Sequence, residues 1–459
     1  MTVAFPLTAQ AQSNAELKKE IDALKAQIED LRRMVTAKPA APATPPAPAP
    51  AANAVDPAEF NRVRVKVEAM EDTQEAMGFK GLKVSGFVDP TYIYNQRSGR
   101  GSFLFLNPQD GTTNDLTSDG WGYDNSNFGG VSIKLEKELE GGIKAMMALR
   151  PYKFGSTTWV EEAMLTVPLG GGRNIIAGKS ISWNGYEYVN SPDMKNVTHN
   201  LLYDFAGVNQ VTGAGFTTKM GKIDIKAMVG NLNADRDLPG DRNRGLHWRF
   251  DYARGEFSGW GASGMHGNIA GTRFNYLDLD FWYTRGDLTL NGMVETSAHK
   301  NQAYSGDAAH VGVSGLAAYK FAPGWEMVAR ADWLDDSKNG GSKGLVDTAT
   351  GEICPGGLAD LANDPTGLTP IGTCGDYRNG FGPGAVFDAA SGTWWIADPT
   401  RGARRSALTL GLNYQYHSNA VLKFEYRLDR SNLNSFFDFG DNSFKNSNST
   451  FGVQTVVKF

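Results

Sequence analysis

Phe451-Gly-Val-Gln-Thr-Val-Val-Lys-Phe459 ends the chain, and its alternation decides the fold. Phe451, Val453, Thr455, Val457 and Phe459 fall on one face, while Gly452, Gln454 and Lys458 fall on the other. A strand with this period of two is greasy on one side and wet on the other. Repeated in segments of about ten residues along a chain without long apolar runs, the pattern marks a transmembrane β-barrel.

Composition points the same way. The 459 residues include 54 Gly, 16 Tyr, 10 Trp and 24 Phe, and only 21% are charged. Glycines and aromatics spread over many short segments suit tight turns, strands and interfacial girdles. No stretch approaches the roughly 18 apolar residues of a spanning helix, and mean hydropathy is -0.36. Spanning therefore requires closure, because only a closed barrel pairs every backbone group in lipid. A net charge of -5 and a pI near 5.8, without a basic stripe, argue against nucleic acid as a partner.

Counting outward from the terminal strand, sixteen segments read as strands: 82–95, 128–138, 142–150, 158–168, 173–183, 209–219, 222–231, 245–255, 258–268, 274–285, 287–298, 309–321, 325–334, 405–417, 420–430 and 449–459. Short turns such as Gly170-Gly171-Gly172 and Arg285-Gly286-Asp287 alternate with long polar loops, as expected when the turns lie on the periplasmic side. The run Asn200 to Ala206 is apolar enough for a further strand. An odd strand would invert the order of turns and loops, so the run belongs inside a third long loop, about residues 184–208.

Upstream of the predicted barrel (79–459) the chain changes character four times. Residues 1–11 end in Ala9-Gln10-Ala11, a cleavage pattern read as the end of a longer signal peptide. Residues 12–36 carry Leu17, Ile21, Leu24, Ile28, Leu31 and Val35 at alternating spacings of four and three. That is an α-helical coiled coil, too short to stand alone in water, so its stripe needs other chains or a surface. Residues 37–55 form a Pro/Ala spacer that extends and cannot pack a core. Asp56-Pro57-Ala58-Glu59 opens a predicted helix over 56–78, with Gly78 as its stop; a strand through Val63, Val65 and Val67 is the competing reading.

Cys354 and Cys374 share a Gly/Pro/Asp-rich segment, and such a pair reads as a disulfide in an oxidising compartment. Strand alternation assigns to the lumen Lys134, Lys144, Lys226, Arg249, Lys320, Arg330, Lys423 and Arg427, together with Glu136, Asp224, Asp251, Asp278, Asp280, Glu295, Glu326, Asp332 and Glu425. Neither sign dominates. The expected constriction sets Asp193, Lys195 and Asp204 of the third loop against Arg249, Arg330, Lys423 and Arg427 of the wall, a transverse field that admits polar solutes. Alternatively, the arginines pair with Asp251, Asp332 and Glu425 beside them; both arrangements can hold together.

No catalytic motif is present. The histidines show no metal-ligand spacing, no Gly-x-Ser-x-Gly elbow occurs, and the Gly-rich pieces sit at hairpin turns. A hydrolase would need a Ser and a His to meet on the wall, an option that His247, His266, His310 and His417 leave open. No cofactor is implied; the loops Asp110 to Asn127 and Asp235 to Asp241 offer oxygen ligands for calcium without the EF-hand spacing.

Sixteen strands, turns on one side, a substantial third loop and the terminal Phe459 resemble the trimeric porins of Gram-negative outer membranes. The coil and Pro/Ala spacer look like those of porin families, including betaproteobacterial ones, that carry a periplasmic stalk. The resemblance implies a homotrimer in outer-membrane lipid and lipopolysaccharide, a third loop folded into the lumen, and Phe459 as part of the signal read by the barrel-assembly machinery. It also implies a stalk directed at the peptidoglycan. The expected function is passive diffusion of small hydrophilic solutes and ions. The alternatives are an envelope-tethering protein and a solute-specific channel.

Overall fold

The computed structural model describes residues 61–69, 81–97, 99–106, 129–150, 160–206, 210–232, 244–269, 271–303, 305–342, 379–438, 440–441 and 443–459. The chain divides between Gly78 and Phe79 into two units. In the first, residues 61–69 are helical, which removes the strand reading of Val63, Val65 and Val67. Arg64 and Glu68 pair at 3.5 Å one turn apart on this helix. The signal fragment, the coiled coil, the spacer, the Cys354–Cys374 bridge and both Asp/Asn-rich loops lie outside the described residues.

The second unit is all-β. Its strands are β1 (Leu82–Val88), β2 (Thr91–Asn95), β3 (Arg100–Leu104), β4 (Val131–Glu138), β5 (Lys144–Leu149), β6 (Val160–Gly170), β7 (Arg173–Ile181) and β8 (Gln210–Met220). There follow β9 (Ile223–Asn231), β10 (Arg244–Gly255), β11 (Ser258–Ile269), β12 (Thr272–Arg285), β13 (Leu288–Ala303), β14 (Gly306–Ala322) and β15 (Trp325–Asp335). Then come β16 (Ala385–Asp388), β17 (Thr393–Ile396), β18 (Arg404–His417), β19 (Ala420–Ser431), β20 (Phe436–Asp438), β21 (Ser443–Lys445) and β22 (Ser447–Lys458).

Eighteen of these form one sheet. β1 and β2 are a single stave interrupted at Asp89-Pro90, where proline has no N–H to give the ladder. β4 and β3 lie end to end against that stave and make the next one. The sheet therefore has sixteen staves, all antiparallel, and β22 pairing with β1 and β2 closes it.

Burial is inverted relative to a soluble protein. Leu277, Leu279 and Phe281 on β12 are 46%, 56% and 48% exposed, whereas Asp278 and Asp280 between them are 3% and 4% exposed. An exposed apolar face alternating with an enclosed polar one is the pattern of a barrel in lipid. β22 follows it, with Phe451 outward and Gln454 enclosed.

Two features depart from the sequence reading. β13 and β14 run to Ala303 and from Gly306, well past the expected ends at 298 and 309, because the ladder continues through Ala298↔Ala309 and His299↔Ala308 after the side-chain alternation fades. Two small hairpins, β16–β17 and β20–β21, stand in stretches without period-two alternation long enough to span. Inside the wall, Gly178, Gly213, Gly230, Gly245 and Gly267 fall in register across β7 to β11. A Cβ at Gly178 would sit 1.9 Å from the carbonyl oxygen of Ala163, so only glycine lets the backbones approach along this crease.

Candidate functional site

The segment 182–206 leaves β7, lies against inward-facing side chains of the barrel, and carries one turn of helix, Leu201–Phe205. Asn200 caps that turn, its side-chain oxygen accepting from the Tyr203 amide at 2.7 Å. The apolar run once weighed as a strand is thus a helix, and its apolar residues have a place to go. Leu201, Leu202 and Phe205 pack on Leu316, Val328, Leu334 and Ala407, apolar residues on the inner face of β14, β15 and β18. Gly312 on β14 makes room: a Cβ there would lie 2.9 Å from Leu202.

Charges fasten the rest. Arg330 donates to the carbonyl oxygens of Thr198 and His199, at 2.7 Å each, and to Asp332 at 3.1 Å. Lys423 Nζ donates to the carbonyl oxygens of Ser191 at 2.6 Å and Met194 at 2.8 Å. Glu425 accepts from the Val197 amide at 2.7 Å and from the Thr198 hydroxyl at 2.6 Å. Arg427 Nε donates to Asp429 at 3.1 Å, and its Nη1 donates to the Thr198 hydroxyl at 3.2 Å. At the loop's entry Arg249 grips Asp280 through two bonds of 2.9 and 3.0 Å and donates to the Trp183 carbonyl at 2.8 Å. Ser191 donates to Asp89, and Arg150 to the Val189 carbonyl at 3.2 Å, on the far side of the closure seam.

These contacts revise the expected constriction. Arg330, Lys423 and Arg427 are at most 2% exposed and lie beneath the loop. They do not face an open gap: a buried guanidinium or ammonium needs partners for its donors, and the loop's carbonyls and the Thr198 hydroxyl supply them together with Asp332 and Asp429. Asp204 is likewise enclosed, 3.2 Å from His199. Asp193 is exposed, and Lys195 is half-exposed in a 2.7 Å pair with Glu326. Arg249 sits between the two groups, with Asp251 at 2.7 Å. The alternative pairing with Asp251 and Asp332 holds; the third proposed partner, Glu425, serves the loop backbone.

Two loop groups are shifted by enclosure. Burial raises the Glu187 carboxyl to about 7 against the pull of Arg330, 3.4 Å away. Burial, with Arg150 and Arg330 nearby, lowers His199 to about 3, so it is neutral when the loop is docked.

On β4 water is close. Lys134 and Glu136, 2.9 Å apart, have side chains 41% and 37% exposed. A Ser and a His do meet: Ser297 and His310 are 2.6 Å apart, with Glu295 3.2 Å beyond. Ser297 and His310 are also direct ladder partners, so the strand amides around them are spent on the sheet and not turned toward a developing oxyanion. Among the described residues no group of three or more His, Cys, Asp or Glu is placed to hold a metal ion.

The anion-selective porin from Comamonas acidovorans superposes with a TM-score of 0.51 at 10% identity, covering 82% of this chain and 99% of its own. The Salmonella typhi OmpF complex with daunomycin gives 0.49 at 9% identity, over 82% and 97% of the two chains. The outer membrane channel DcaP of Acinetobacter baumannii gives 0.47 at 12% identity, over 82% and 97%. No curated protein sequence matches. The fold is that of the Gram-negative outer-membrane porins. A profile described as Protein of unknown function (DUF3138) matches residues 58–237 and 252–459, most of the chain, and the protein belongs to that family.

Proposed function

We propose that the protein is an outer-membrane channel for passive diffusion of small hydrophilic solutes and ions, narrowed by its third loop. The reading is carried by one contrast: the loop is bound to inward groups from β10 round through β22 to β2 and β3, while charges on β4, such as Lys134 and Glu136, remain hydrated. A polar lumen with hydrated charges of both signs conducts ions with mild selectivity. The gap lies between the exposed loop edge, Asp193 and Lys195, and the wall of β4 to β6, with Arg249 and Asp251 at its margin. Arg330, Lys423, Arg427 and Asp204 hold the loop in place.

In this reading the barrel assembles as a homotrimer in lipid and lipopolysaccharide, Phe459 serves its insertion, and Cys354 and Cys374 form a bridge. The N-terminal stalk enters the periplasm toward the peptidoglycan. Planar-bilayer recording of the purified protein tests the central claim: stepwise ohmic openings are expected. A silent bilayer would leave the tethering role, with the barrel as an anchor.

A further inference from the structure

The wall of β4 to β6 carries more than charge. Met146 and Met164 are direct cross-strand partners on β5 and β6, and Met146 is in turn the partner of Glu136 on β4. Alternation puts all three on the inward face. Both methionines are half-buried, unlike the sealed inward residues under the loop. Met164 continues into an apolar cluster built on Ile176, Met228 and Met265, against which Trp183 of the third loop also packs.

A thioether pair left partly in water beside a balanced ion pair is an unusual wall for a channel of purely hydrophilic solutes, since the apolar surface gains by being covered. We propose that this wall is a solute-binding strip for zwitterions with an apolar side chain, aromatic ones above all. The solute's ammonium faces Glu136, its carboxylate faces Lys134, and its side chain lies on Met146 and Met164. Sulfur favours the ring edge, so an aromatic side chain gains more than an aliphatic one. The charge arrangement suits a zwitterion, because it offers both signs within a few ångströms: Glu136 lies 2.9 Å from Lys134 and 3.9 Å from Lys83. The inference rests on the channel reading and names the solute class that the same passage retains.

L-phenylalanine and L-serine carry the same charged groups and differ only in the side chain, so they isolate the strip. In planar bilayers, millimolar phenylalanine is expected to reduce the mean ionic current saturably, and serine at the same concentration is not. Met146→Asn combined with Met164→Asn is expected to raise the half-blocking phenylalanine concentration about tenfold, the scale of losing apolar contacts in a pocket. Lys134→Gln with Glu136→Gln is expected to weaken the block as well. Heat-modifiable gel migration checks that each variant is folded. Equal effects of phenylalanine and serine in a conducting channel would overturn this inference alone, as would a block untouched by the methionine substitutions in folded protein. A silent barrel would overturn the channel reading, and this inference with it.

Discussion

Two regions of the inner wall, β15 with β19 and β4 with β5, carry similar residues and treat them oppositely. On β15 and β19 the inward Arg330, Lys423, Glu425 and Arg427 are at most 3% exposed, because the third loop supplies carbonyls, amides and a hydroxyl to their side chains. On β4 and β5 the inward Lys134, Glu136 and Lys144 keep side-chain exposures between 37% and 64%. Alternation in a strand determines which residues face the lumen. It does not determine which of those residues meet water, and that second property decides what passes.

The buried region is an anchor of mixed chemistry. Arg405 extends it, its guanidinium lying 5.0 Å from the ring of Phe205 in the third loop, 5.6 Å from Phe381 and 5.4 Å from Phe436. One cation thereby fastens three loop segments while pairing with Asp429 at 3.0 Å. Such geometry saturates a buried charge, and removing one partner leaves the others stranded.

The sharpest way to break the comparison is to remove the loop. Deleting Asn190 to Asn200 should open the buried region to water and raise single-channel conductance several-fold, while the barrel keeps its heat-modifiable gel shift, since the strand ladder closes without the loop. Unchanged conductance would mean the loop does not narrow the passage. Next in size, Arg330→Met strands Asp332 and Glu187. It should destabilise the docked loop by about 3–5 kcal/mol, seen as new protease cleavage within 182–206 of the folded barrel.

Acid should act on the same docked loop. His199 is lowered from its ordinary 6.5 to about 3, so its contribution to docking is full above 6.5 and is lost as pH falls from 6.5 toward 3. Glu187, raised from 4.5 to about 7, works the other way, favouring the docked loop as pH falls from 7 toward 4.5. His199→Gln should therefore leave a loop whose docking strengthens as pH drops from 7 to 5, whereas Glu187→Gln should leave one that weakens. Conductance against pH reads both, and parallel curves for the two variants would refute the assignment.

The smallest effect is expected at the exposed loop edge. Asp193→Asn should shift the zero-current potential in a salt gradient slightly toward anions, since an exposed charge is screened by water and salt. Neutralising Arg330 together with Arg427 should alter selectivity mainly through release of the loop, and so only together with a conductance change. A selectivity shift at constant conductance would place those guanidiniums at the open passage after all.

Period-two alternation made the barrel legible from sequence. Each strand's inward and outward sets are fixed by adjacent residues, and parity of turns and loops fixed the position of the 184–208 segment. The local signal failed where pairing outlasts it, at the ends of β13 and β14, and where a stave is assembled from separate pieces, as with β3 and β4. It also placed four loop-binding groups in the same class as hydrated ones. Asp204, Arg330, Lys423 and Arg427 read as a pore lining because their strand or loop position allows it, and nothing within a few residues of them reports the loop carbonyl or histidine lying against them.

By itself, then, the sequence determined an antiparallel barrel of sixteen staves with a polar interior, because side-chain period and turn placement are local properties of the chain. Only the tertiary structure decided which inward charges are anchors and which are hydrated. That distinction depends on contacts such as Val197 to Glu425 and Thr198 to Arg330, more than a hundred residues apart, where desolvation of a charge is tolerated only if a distant backbone arrives to replace the water.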